Sequence, residues 1–156
     1  MEKGLERGMI PLLLLLFVAS PVGRYPFNDS RALWIIEHKH LADKAVHKSG
    51  ISKSWGRVLL LQALYEGGGR KRSDNNHFGM LGCSFKSEQE CFTRRIILQY
   101  TKPCYRDAHL YMITHKCNAA NVRQYFLLLT KHYAPNAPEQ YAKLMQEWYI
   151  RYKRYL

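Results

Sequence analysis

Residues 52–79, "SKSWGRVLLLQALYEGGGRKRSDNNHFG", decide the fold. Ser52 and Ser54 are suited to cap a helix N-terminus, and Gly67-Gly68 are suited to end it. Between them the apolar residues surround the axis, with Val58 to Leu64 interrupted only by Gln62. A helix that is apolar all round must be buried, so this is the expected central helix. One carboxylate, Glu66, stands where the helix runs out, against three glycines. The segment 70–82 that follows, "RKRSDNNHFGMLG", is loop by composition.

Working outward, the pattern stays helical. Residues 29–50 open with Asp29 or Ser30 as N-cap and close at Gly50. Leu33, Trp34, Ile36, Leu41 and Ala45 are expected to form their apolar side. Ser87 and Glu90 have capping-box spacing at the start of residues 87–100. A further helix follows Pro103. The next covers residues 119–133 and is ended by Pro135 and Pro138, and Pro138 suits the first turn of the last one. The fold class is all-α, with about six helices and at most a small hairpin at residues 81–85.

The chain has 156 residues, enough for one compact domain. Its start is separate in character. Lys3 and Arg7 precede an apolar run from Ile10 to Ala19, which is short of the roughly 20 residues that span a bilayer. Residues 1–23 therefore read as a secretory signal or N-terminal anchor, and residues 24–156 as the domain. Export to the periplasm, cell envelope or medium is expected.

Lys3 and Arg7 are balanced by Glu2 and Glu6, so the whole formal charge of +12 belongs to the domain. Such an excess favours a polyanionic partner. Export points to acidic wall polymers and away from nucleic acid. A nucleic-acid binder remains the third-ranked reading, and a steep salt dependence on DNA would mark it.

The four cysteines are Cys83, Cys91, Cys104 and Cys117. None has the spacing of a zinc or redox motif. Two disulfides suit an exported chain, and free thiols are the alternative. A helix over residues 105–115 would hold its ends ~16 Å apart at ~1.5 Å per residue. A disulfide needs Cα atoms ~4.4–6.8 Å apart, which disfavours Cys104–Cys117 and with it Cys83–Cys91. His38 and His40 lie two apart on a helix and point different ways, so no metal site is expected, and no cofactor. Tyr149, Tyr152 and Tyr155, among Arg151, Lys153 and Arg154, read as a partly buried helix face with a basic exterior.

Apolar walls disfavour the ionised form of a carboxyl group, which suits a general acid near neutral pH. The glycines after Glu66 leave room for a large ligand, and Asn75, Asn76 and His77 follow in a loop able to fold back on it. Protonation of a glycosidic oxygen is one reaction needing this arrangement.

Here the residues resemble bacterial peptidoglycan N-acetylglucosaminidases of glycoside hydrolase family 73, which have a lysozyme-like fold. The family pattern A-Q-A-x-x-E-S-G followed by N-N-L-F-G-I is similar to residues 61–68, "LQALYEGG", and residues 75–80, "NNHFGM". "FKSEQECF" at residues 85–92 is similar to the family's Y-x-S-x-E-E-S-F. Tyr133-Ala134 and Tyr141-Ala142-Lys143-Leu144 are similar to its closing segment. The resemblance covers residues 30–155. Ser after the acid is replaced by Gly67, and only "LGCS" stands where the family carries a β-lobe with a second acid.

The resemblance implies a glycan-strand hydrolase of the glucosaminidase, muramidase or lytic transglycosylase type acting on peptidoglycan. Glu66 takes the place of the catalytic acid. Asn75, Asn76, Phe78 and Gly79 shape the cleft floor, with Tyr65 and Tyr133 as further sugar contacts; His77 replaces an apolar residue of the motif and either lines the cleft or packs. Asp74 is the acid nearest in sequence able to hold a water. Glu88 and Glu90 are accounted for by their place in a helix first turn. The second expectation is a wall-binding, secretion or conjugation module that kept the fold without the chemistry.

Overall fold

The computed structural model of the protein describes residues 29–80, 82–132 and 137–156. Among them are six α-helices, one 3₁₀ turn and no strand. The helices are α1 (Ser30–Val46), α2 (Lys53–Gly67), α3 (Glu88–Thr101), α4 (Arg106–Thr114), α5 (Ala119–Thr130) and α6 (Pro138–Tyr152). The 3₁₀ turn, Pro103–Tyr105, joins α3 to α4. The all-α architecture is as the sequence indicates. The signal-like residues 1–23 and Tyr133 lie outside the described residues, as does Leu81 of the suggested hairpin.

The caps sit where side-chain chemistry puts them. The Asp29 carboxylate accepts from the backbone N–H of Arg31 and Ala32 at 3.1 and 3.3 Å, starting α1. Ser52 Oγ accepts from Trp55 N–H, and Gly68 ends α2 at φ 69°, a left-handed conformation that glycine adopts without strain. Ser87 caps α3 through Glu90 N–H at 3.2 Å. The return half of the box is shifted by one residue: Glu90 Oε2 accepts from Lys86 N–H at 2.8 Å, not from Ser87.

α2 is the central helix, with Val58 to Leu64 all buried. α1 packs along it and also against α3, while α5 and α6 form the closest helix pair and α6 reaches back to α2. The approach of α1 to α2 depends on Gly56, where a Cβ would lie 2.6 Å from Val46 Cγ1. Asp43 of α1 and Arg57 of α2 make two parallel 2.7 Å hydrogen bonds across the same seam. The guanidinium holds the Asp43 carboxyl below its ordinary pKa. Trp55 Nε1 donates to His115 O at 2.7 Å, tying the start of α2 to the end of α4.

The buried stripe of α1 differs from the one expected. It runs through Trp34, Ile35, His38, Leu41, Ala42 and Ala45, whereas Leu33 is 43% exposed and Ile36 half-buried. The 3.6-residue period places positions 34, 38, 41 and 45 on one line and leaves 33 and 36 off it, 36 on the opposite side. A buried histidine on that line was hidden by its polarity. α6 does present a buried side, Tyr141, Ala142, Met145 and Tyr152, with Arg151, Lys153 and Arg154 exposed. All four cysteines are free thiols, so the structure holds neither of the expected disulfides. Cys91 is buried on α3, and desolvation pushes its thiol pKa up.

Candidate functional site

Glu66 is the penultimate residue of α2, half-buried at the end of the core helix. Its immediate surroundings come from three elements. Tyr141 of α6 donates its hydroxyl to Glu66 Oε1 at 3.4 Å. From the loop, Gly79 adopts φ 60°, and a Cβ there would lie 3.9 Å from Glu66 Oε2. Gly67 brings the helix end onto the loop, where a Cβ would stand 3.0 Å from His77 O. The glycine beside the acid therefore lets the loop backbone lie against α2.

The loop holds its own shape by hydrogen bonds. Asn76 is buried, and its Nδ2 donates to Met80 O at 2.7 Å and Cys83 O at 3.1 Å. Its Oδ1 accepts from Met80 N–H at 2.9 Å. Asn75, at φ 53°, donates from Nδ2 to Phe85 O at 2.9 Å. Phe85 N–H donates to Asp74 O at 2.9 Å, closing the base of the loop. Phe78 is buried with its ring edge-on to Phe92 at 5.1 Å. Asn76, His77 and Phe78 thus face inward and set the loop's form, while Gly79 is the exposed member of the motif.

Asp74 is committed to the same framework. Both of its oxygens pair with Arg72, at 2.9 and 3.0 Å, and Oδ1 also accepts from Asn76 N–H at 3.0 Å. The Arg72 hydrogen bonds lower its pKa from 3.8 to about 2. A carboxyl depressed in the folded state contributes its pairing fully above 3.8 and loses it as pH falls through about 2. The Asn76 amide proton shift is accordingly expected to titrate with a midpoint near 2. It should stay flat in Asp74→Asn, as followed by NMR; a wild-type midpoint at the ordinary 3.8 would separate the amide from this ion pair.

Beside Glu66 the surface turns aromatic. Tyr65 is 46% exposed and packs edge-on against Tyr141 at 5.2 Å and Trp148 at 6.1 Å. Arg31 covers the Trp148 ring at 5.0 Å. A cleft of about 410 Å³ opens there, walled by Arg31, Leu64, Tyr65, Gly69 and Trp148. Glu66 and residues 75–79 are not part of its lining; the link between acid and cleft is Tyr141, which bonds Glu66 and packs against Tyr65. A second cavity of about 490 Å³, at the other end of α2, is lined by Trp55, Met112 and His115 among others and has no carboxylate.

The structure therefore joins Glu66, Tyr65 and Gly79, which the sequence singles out, to two residues it did not. Tyr141 appeared only as a matched position of the closing segment. Trp148 carried a readable signal, since it lies seven residues along α6 and so shares a face with Tyr141.

One cluster has the donors of a metal centre. His38, His77 and Glu88, from α1, the loop and α3, each place a ligand atom within 4.8 Å of the others. Burial raises the Glu88 pKa and the His77 hydrogen bond lowers it, with the balance below the ordinary value. His40, its neighbour in sequence, is exposed and bonds to Glu37 O instead. No family model, no curated protein and no solved structure matches this chain.

Proposed function

We propose that the protein cleaves the glycan strands of peptidoglycan, with Glu66 as the general acid. The observation that carries this reading is the placement of Glu66. It is a half-buried carboxyl at the end of the core helix, facing the Tyr141 hydroxyl and the bare backbone of Gly79, and Tyr141 in turn packs on Tyr65 of an aromatic-walled cleft. A sugar stacked on Tyr65 and Trp148 would lie beside the acid, which donates its proton to the glycosidic oxygen. Asp74 is held by Arg72 and Asn76. The attacking group is then the sugar's own, either its N-acetyl oxygen, with water opening the resulting oxazoline, or its C6 hydroxyl. The domain's positive charge favours an anionic wall. An exported or envelope-anchored location follows from the same reading.

The test is to incubate the full chain with purified peptidoglycan and identify soluble fragments by mass spectrometry. Reducing ends mean that water completes the cleavage, anhydro ends mean that the sugar's C6 hydroxyl does, and the terminal sugar identifies the bond. Absence of any fragment rejects catalysis. A second reading, a wall-binding module in an envelope assembly, draws on the aromatic ledge, which grips sugars without any chemistry. Co-sedimentation with the wall and no released fragment would favour it.

Both readings predict that Tyr65→Ala weakens wall binding. Covering about 40 Å² of ring at ~25 cal/mol per Å² is worth about 1 kcal/mol, or roughly fivefold in Kd. Unchanged co-sedimentation would remove the ledge from the binding surface.

A further inference from the structure

Three side chains unused by the glycan reading meet beneath the loop. His77 Nε2 lies 2.9 Å and His38 Nε2 3.5 Å from the same oxygen, Glu88 Oε1. Donor atoms bound to one tetrahedral zinc-sized ion at ~2.0–2.1 Å stand ~3.3 Å apart. The two separations bracket that value.

The protons sharpen the case. His38 Nδ1 lies 2.8 Å from Trp34 O, a carbonyl that only accepts. Nδ1 therefore carries a proton, which leaves Nε2 as the ring atom turned to Glu88 Oε1. Between that nitrogen and the carboxylate oxygen belongs a cation, either a second proton or a metal ion. The ring is also stacked on Trp34, with centroids 4.1 Å apart and planes at 13°. A ring nitrogen anchored to a backbone carbonyl is the usual support of a metal-ligating histidine. His77 is wholly buried, and its Nδ1 has no hydrogen-bond partner among the described residues. The Glu88 side chain is 34% exposed, which gives the cluster an opening to solvent and room for a fourth ligand.

We propose that His38, His77 and Glu88 bind a divalent transition-metal ion of the zinc class, which clamps the loop to α1 and α3. Two imidazoles and one carboxylate suit zinc and its neighbours, whereas magnesium and calcium take oxygen donors. Because Gly67 packs on the backbone of His77, the clamp stands directly behind the helix end that carries Glu66. It requires no catalysis and stands apart from the glycan reading.

The test uses the full chain, stripped with a chelator and titrated with Zn²⁺ by calorimetry and with Co²⁺ by absorption. One equivalent is expected to bind, with Tm rising by about 5 °C at saturating zinc. The cobalt form should show visible d–d bands without a thiolate charge-transfer band. Glu88→Gln and His38→Gln are each expected to lose at least about tenfold in affinity. Absence of saturable binding, or an affinity in both variants unchanged from the unaltered chain, overturns the proposal. So does a thiolate band, which would put the ion on the free cysteines. The cobalt spectrum of the unaltered chain reports ligand class by itself, and so decides even where a variant fails to fold.

Discussion

Glu66→Gln is expected to slow the release of soluble fragments from purified peptidoglycan by about 10²–10⁴-fold, the usual worth of a positioned proton donor. The amide keeps the size and planarity of the carboxyl group, and its oxygen still accepts from the Tyr141 hydroxyl, 3.4 Å away in the structure. Packing of α2, α6 and the loop should therefore survive, and co-sedimentation with the wall should be unchanged. What the amide lacks is an acidic proton for the departing sugar oxygen. A variant that keeps more than about a tenth of the wild-type rate would deny Glu66 that role. Equal loss of binding and rate would make Glu66 a contact and not a donor.

Arg95→Ala is expected to lower the unfolding free energy by about 2–4 kcal/mol, read from urea denaturation. Arg95 is only 5% exposed and carries its charge into the helical core. Its guanidinium donates to Gln99 Oε1 at 2.6 Å, Gln62 Oε1 at 3.0 Å and the Tyr125 hydroxyl at 3.4 Å. The rings of Phe78 and Tyr105 lie 5.8 and 5.6 Å from its central carbon. Burial pushes up the pKa of the Tyr125 hydroxyl, against the pull of the neighbouring cation. Alanine would leave Gln62 Oε1 without its donor and Gln99 Oε1 with the Tyr125 hydroxyl alone, at 3.1 Å, and would open a cavity beside two aromatic rings. Arg95→Met restores the volume without the donors and should fall between alanine and wild type. A cost for alanine below about 1 kcal/mol would mean that water satisfies the glutamines.

The helices were legible because each carries its own punctuation. Ser52, Ser87 and Pro138 mark starts, Gly67-Gly68 mark an end, and the all-round apolar run of α2 identifies the centre. Polar residues inside the core were not legible. Arg95 falls three and four positions after Phe92 and Cys91, on the buried line of α3, yet its charge gives no sign of burial. His38 was judged against His40, its neighbour in the chain, whereas its partners come from residues 77 and 88. Proximity through folding has no periodic signature. The candidate site divides in the same way. Glu66 and the loop lie within one short stretch and could be read from it, while Tyr141 and Trp148 arrive from the far end of the chain.

The hydrogen bond from Phe85 N–H to Asp74 O gives the loop a neck. The chain leaves the helical body and returns to it within one peptide contact, and Gly82, Cys83 and Ser84 lie exposed beyond that neck. Extra chain entered at residues 82–84 would begin and end at nearly the same point, so its closure would leave α2 and α3 where they are. That position is a splice port. A lobe of any size grafted there would spring from the loop whose Gly79 faces Glu66, and the fold beneath would serve as its socket.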